Sequence, residues 1–116
     1  MTSQKSQFGA GALAGMRVLD VSQVMAGPFC CMMLGDMGAD VIKVEPPGGG
    51  DQTRYINGGN APDLGGVFTN VNRGKRSLVL DLRQEADKAT LRALIATADV
   101  FIHSMRGKAI AKLGFD

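Results

Sequence analysis

Tryptophan is absent from this 116-residue chain, and tyrosine and histidine occur once each. Five phenylalanines and one tyrosine give no platform on which the bases of a single nucleic-acid strand could stack. Thirteen basic residues against eleven acidic ones leave a net charge of +2, too even for the one-signed field that attracts a phosphate backbone, so no nucleic-acid partner is expected. One histidine and two cysteines offer no spaced ligand set, and no metal site is expected. The cysteines are neighbours, Cys30 and Cys31, inside an apolar helical stretch. That placement excludes a disulfide framework and reads as reduced core residues of a cytoplasmic protein. Around Met25 to Leu34 the apolar run is broken by Gly27 and Pro28 and is too short to span a bilayer, so no membrane partner is expected. Residues Met1 to Gln7 are polar and carry no targeting signal, and no internal repeat is visible.

What is present is an ordered alternation of strand and helix signals. Arg17 to Val21 is a short apolar, β-branched run, Ala26-Gly27-Pro28 punctuates it, Phe29 to Met37 is apolar enough for a buried helix, and Asp40 to Glu45 is a second strand. Two strands joined through a helix pair in parallel with a right-handed crossover, so the turn after the first opens at the carboxyl edge of the sheet, where open α/β sheets bind ligands. Ser77 to Asp81 and Asp99 to Ile102 are the third and fourth strands, with Leu91, Leu94, Ile95 and Ala98 at helical spacing between them, giving a helix over about Glu85 to Ala96. A last short helix runs from about Lys108 to Leu113 and ends at Gly114. The expected fold is α/β and Rossmann-like, a mainly parallel sheet with flanking helices.

Pro46 to Arg76 breaks the rhythm, holding half of the sixteen glycines and three of the four prolines. Long loops of this kind inside compact domains are functional or disordered. It reads as a ligand-facing excursion over the strand ends, near the Met25 turn, with a short helix around Gly65 to Val71. Residues 1–12 read as a flexible arm and 13–116 as one unit. At this length the chain is at most one small domain.

Four places carry candidate chemistry. In the turn Ser22 to Pro28, a helix entered through Gly27 with Pro28 in its first turn exposes free amides suited to an anionic or carbonyl-rich ligand; the plainer reading is that Gly27-Pro28 only starts a helix. In Asn72-Arg73-Gly74-Lys75-Arg76-Ser77, three cations within four residues could hold phosphate oxygens, or form a solvated strand entrance with Arg73 or Arg76 paired to a carboxylate such as Asp51. Glu45 ends the second strand where dinucleotide folds place a ribose-binding acid, yet the glycine signature fails, because Gly9-x-Gly11-x-x-Ala14 precedes the first strand instead of following it. His103 follows the fourth strand and is either a general base by type or a hydrogen-bonded structural residue.

A series of words in fixed order carries a family resemblance. They are L-x-G-x-R-V-L-D from Leu13, A-G-P from Ala26, G-A-D-V-I-K-V-E-P-P from Gly38, G-D-x-x-R from Gly50, N-R-G-K-R-S-x-x-L-D-L from Asn72, A-D-V from Ala98 and L-G-F-D from Leu113. The chain resembles the start of the family III CoA-transferases (the CaiB/BaiF family), which includes formyl-CoA transferases, carnitine CoA-transferases and α-methylacyl-CoA racemases. The resemblance implies an acyl-CoA and a carboxylic acid as substrates, coenzyme A as the acyl carrier, and an interlocked homodimer. It implies that Met25 and Ala26 touch the CoA thioester arm, that Pro46 stands at a contact position often filled by Arg, and that Leu80, Asp81, Leu82 and Arg83 border the adenosine part. Arg73, Lys75 and Arg76 are the candidate phosphate cations. Ser104, Met105 and Arg106 correspond to a word flanking CoA, with Lys112 the basic residue a turn later. Family members are several-fold longer, so the chain is expected to be the amino-terminal portion of such an enzyme. The family's nucleophilic aspartate belongs to a later segment, and no residue here is named catalytic. The portion by itself is therefore expected to be inactive. An acyl-CoA racemase or isomerase of the same family, and a non-catalytic CoA- or nucleotide-binding module, are the competing readings.

Overall fold

A computed structural model describes residues 11–56 and 65–115. Along the chain run β1 (Arg17–Val21), α1 (Ala26–Asp36), β2 (Asp40–Glu45), a 3₁₀ helix (Gln52–Tyr55), α2 (Gly66–Val71), β3 (Arg76–Val79), α3 (Glu85–Thr97), β4 (Val100–His103) and α4 (Gly107–Leu113). The four strands form one parallel sheet in the order β3-β2-β1-β4. Successive crossovers therefore step one way from β1 to β3 and then return past β1 to β4. Where the order reverses, the exits of β1 and β4 diverge from connections on opposite faces and leave a crevice between them.

Two-residue alternation along the strands sorts the core. Leu19, Ile42 and Val44 face α3, whose Leu91 is fully buried against them with Leu80, while Val18 and Val41 face α1 through Cys31 and Leu34. The sheet is thus covered on both sides, as a parallel sheet requires.

Several boundaries differ from the expectation for identifiable reasons. Helix α1 begins at Ala26, ahead of the Phe29 to Met37 run, because a proline in the first turn lacks only an amide that would have no helical partner. Strand β3 stops at Val79 instead of Asp81: the Asp81 amide donates to Asp87 Oδ2 on α3 at 2.7 Å, which draws the chain out of the sheet. Strand β4 is shifted by one, since Asp99 engages the start of β1 with its side chain, accepting from the Arg17 amide at 2.9 Å. The 65–71 helix is present as α2, and α4 closes on Gly114 in the left-handed conformation, φ 86°. Residues 1–10 of the expected arm and 57–64 of the excursion lie outside the described residues.

The expectation of a buried helix after the first strand needs correction. Neighbours on a helix are about 100° apart, so Cys31 is buried and Cys30 is exposed. Met25 in the preceding turn and Phe29, Met33 and Met37, spaced four residues apart, form an outward stripe, each side chain 43–51% exposed. Among the described residues no helix is long and apolar enough to cross a membrane.

Candidate functional site

At the carboxyl edge the two faces of the sheet diverge in chemistry. On the α1 face, the apolar series of β1 and β2 end in charge. Two residues beyond Val18 stands Asp20, and two and four beyond Val41 stand Lys43 and Glu45, all at most 2% exposed. A charge at an inward strand position survives only when paired, and each is. Lys75 Nζ lies 2.7 Å from Asp20 Oδ2 and also donates to Asn72 Oδ1 and the Pro28 carbonyl. Lys43 Nζ lies 3.0 Å from Asp51 Oδ2 and donates to the Ser22 carbonyl. Arg54 grips both oxygens of Glu45, at 2.8 and 2.7 Å, with its guanidinium stacked 3.9 Å from the Phe68 ring centre. Asp51 in turn accepts from the amide and hydroxyl of Thr53, capping the 3₁₀ helix.

These bonds determine the titration of the carboxyls. Burial would raise the Glu45 pKa, but hydrogen bonds from Arg54, Ser77 and the Asp51 amide outweigh it and hold the group at about 2. Burial also opposes ionisation of Asp51, and the Thr53 and Lys43 bonds again prevail, lowering its pKa. Lys75 goes down because burial of its ammonium outweighs the pairing with Asp20. Burial, followed by the Asp20 carboxylate, pushes the Cys31 thiol up to about 12, so it is inert.

The network clamps the excursion and the β1–α1 turn together. The Val24 amide reaches Asp51 Oδ2 at 3.4 Å, and Val24 itself has φ 77°, a conformation a β-branched residue adopts only under constraint. A side chain at Gly27 would overlap Ser22, so glycine is required there.

On the α3 and α4 side lies an open cavity of about 330 Å³, within the size range of small-molecule sites. All four strand exits contribute to it. From the expected site it gathers Pro46, Leu80, Asp81, Leu82 and Arg83, and from the β4 exit Ser104 and Met105. To these it adds Val21, Val44 and Leu113, which sequence reasoning did not place in a site, together with Gln23 of the Ser22 to Pro28 turn and Glu45, which it had compared with a ribose-binding acid. The rule that strand exits line the crevice was the available signal for Val21, Gln23 and Val44. Asp81 and Arg83 form an exposed pair at 3.0 Å that lowers the carboxyl pKa. Ser104 Oγ accepts from the Gln23 amide at 3.3 Å, joining the β1 and β4 exits.

Other expected residues are elsewhere. Met25 in the β1–α1 turn and Ala26, the first residue of α1, stand outside the wall of this cavity. Arg106 precedes α4 and Lys112 lies in its last turn, both exposed and neither in the wall. The basic cluster is split three ways. Arg73 pairs with Asp36 at 2.7 Å on the surface, Lys75 is buried against Asp20, and Arg76 pairs with Asp40 at 2.6 Å at the amino edge of the sheet. For Arg73 and Arg76 the reason is topological: in a parallel sheet, residues that enter a strand begin at the edge opposite the crevice. Glu45 is engaged by Arg54 and Ser77 and is not open to a ribose hydroxyl as its place in a dinucleotide fold would require. His103 Nδ1 accepts from the Met105 amide, the structural one of its two readings. Among the described residues no group of His, Cys, Asp and Glu converges as a metal site.

A parallel sheet of this order, with its cavity at the strand exits beside the reversal point, defines an α/β protein of Rossmann-like type. The model of CoA-transferase family III matches residues 13–116, and the chain belongs to that family. It is 47% identical over 106 residues to a succinyl-CoA:mesaconate CoA-transferase of Haloarcula hispanica, covering 88% of this chain and 26% of the relative. It is 44% identical over 110 residues to a succinate–glutarate CoA-transferase of Agrobacterium fabrum, covering 90% and 28%. Among solved structures, a CAIB/BAIF family protein from Brucella suis superposes with a TM-score of 0.86 at 37% identity, covering 93% of this chain and 29% of that one. The chain thus spans about a quarter of the length of the curated relatives it matches.

Proposed function

We propose that the chain is the CoA-binding, amino-terminal portion of a cytoplasmic, homodimeric transferase that moves CoA from an acyl-CoA thioester to a carboxylic acid. The observation that carries this reading is the cavity at the strand exits. Four consecutive residues, Leu80 to Arg83, supply apolar wall and a cation on one side, and Ser104 and Met105 close the other. An adenosine group suits such a place, with Leu80 and Leu82 against the base and Arg83 toward phosphate. Pro46, Met25 and Ala26 stand along the same edge for the rest of the coenzyme, and Arg106 and Lys112 are further cations around it. The transferase names of the relatives support group transfer over racemisation.

The two carboxylates in the cavity wall are each tied to a cation, Glu45 to Arg54 and Asp81 to Arg83. Such pairing stabilises the anion and opposes its attack on a thioester. The family resemblance puts the nucleophilic aspartate in a later segment, and in line with it this chain by itself should leave acyl-CoA and free acids unexchanged. Calorimetric titration of the chain with CoA, dephospho-CoA and adenosine at two ionic strengths tests the reading. Salt-sensitive binding, tighter for CoA than for dephospho-CoA, is expected. Absence of binding by all three, or steady exchange of CoA between acids by the chain alone, would overturn it.

A further inference from the structure

We infer that His103 is a positioning residue for the cavity, setting its β4–α4 wall through the Met105 amide. The inference rests on the reading of the cavity as a CoA site. Ser104, Met105 and Arg106 connect β4 to α4 without regular structure, yet two of them form the wall. Four bonds hold this link. Gln23 donates its amide to Ser104 Oγ at 3.3 Å, the first turn of α4 donates to the Arg106 carbonyl at 2.9 and 3.0 Å, and the Met105 amide donates to His103 Nδ1 at 3.1 Å. Only the last acts on Met105 directly, and it joins residues two apart, the same closure that an asparagine side chain makes in an Asx turn.

The ring is oriented to make this bond. His103 lies two residues after Phe101 on the same face of β4, and the two rings stand 6.0 Å apart at 41°. An accepting Nδ1 carries no proton, so the neutral ring holds its hydrogen on Nε2. With the imidazole beside the Phe101 ring, the Met105 amide is directed at Nδ1, and Met105 lines the cavity. Removing the acceptor while keeping the ring volume would free that amide and let the wall move.

Asparagine carries its Oδ1 on Cγ, as histidine carries Nδ1, and can accept from the same amide; phenylalanine keeps a ring and cannot. Wild type, His103→Asn and His103→Phe are compared by calorimetric titration with CoA and by hydrogen exchange of the Met105 amide, with thermal melts to verify folding. His103→Ala replaces His103→Phe if the latter does not fold. The expected result is CoA binding about tenfold weaker in His103→Phe and within about twofold of wild type in His103→Asn, the size of one lost hydrogen bond. The Met105 amide should exchange slowly in wild type and His103→Asn and fast in His103→Phe. Equal affinity and equal exchange in wild type and His103→Phe would overturn the inference, as would a His103→Asn variant as weak as His103→Phe. If wild type fails to bind CoA, the CoA reading falls and the exchange pattern alone decides the role of His103.

Discussion

The two faces of one sheet edge solve opposite problems. Toward α1, Asp20, Lys43, Glu45 and Asp51 are withdrawn from water and matched charge to charge, and they fasten the β1–α1 turn and the 46–56 segment to the strand ends. Toward α3 and α4, Val21, Val44, Leu80 and Leu82 are brought together but left with an open cavity above them. Buried ion pairs contribute little net stability compared with apolar packing, yet they are costly to break singly, so they fix a geometry more than they deepen a minimum. The ionic face therefore serves as the mould in which the loops set, and on the proposed reading the apolar face is where a ligand gains from burial.

The largest test of this contrast is on the ionic face. Lys43→Met leaves Asp51 buried without its cation and should destabilise the fold by about 3–5 kcal/mol in urea denaturation. Adding Asp51→Asn, which still accepts from Thr53, should recover most of that loss. A double variant as unstable as the single one would show that the pair is worth more than its mutual neutralisation.

Acid should act on the same face. The Glu45 pKa is depressed from 4.5 to about 2, so its contribution is complete above 4.5 and is lost as the pH falls from 4.5 through about 2. A depression of that size corresponds to about 3 kcal/mol between pH 7 and pH 2, and the lowered Asp51 pKa acts in the same direction. Glu45→Gln should flatten this part of the pH dependence. An unchanged slope in that variant would mean that other carboxyls carry the acid sensitivity.

The smallest expected effect on stability is on the open face. Arg83→Ala removes an exposed pair with Asp81 and should leave the denaturation midpoint in place while weakening CoA binding at low salt. A shifted midpoint with unchanged binding would reverse the division of labour between the faces.

Much of this was legible in the residues. The alternation of apolar strands with helices of 3.6 periodicity gave a parallel α/β unit, and the words from Leu13 to Leu113 gave its family. Leu80 to Arg83 and Ser104-Met105 converge on one cavity because they follow strands whose direction the crossovers fix. The exposed stripe of Met25, Phe29, Met33 and Met37 was not legible, since composition says a helix is apolar and not which of its faces finds a partner.

Local sequence, then, determined which segments are strands and helices and that they run parallel, because periodicity and turn chemistry act within a few residues of the chain. Only the tertiary structure decided where Arg73, Lys75 and Arg76 go. Three neighbouring cations separate to Asp36, Asp20 and Asp40 because each is captured by a carboxylate 36 to 55 residues away in sequence. Which carboxylate is near is set by strand order and register, a property of the whole sheet and not of the segment that carries the charge.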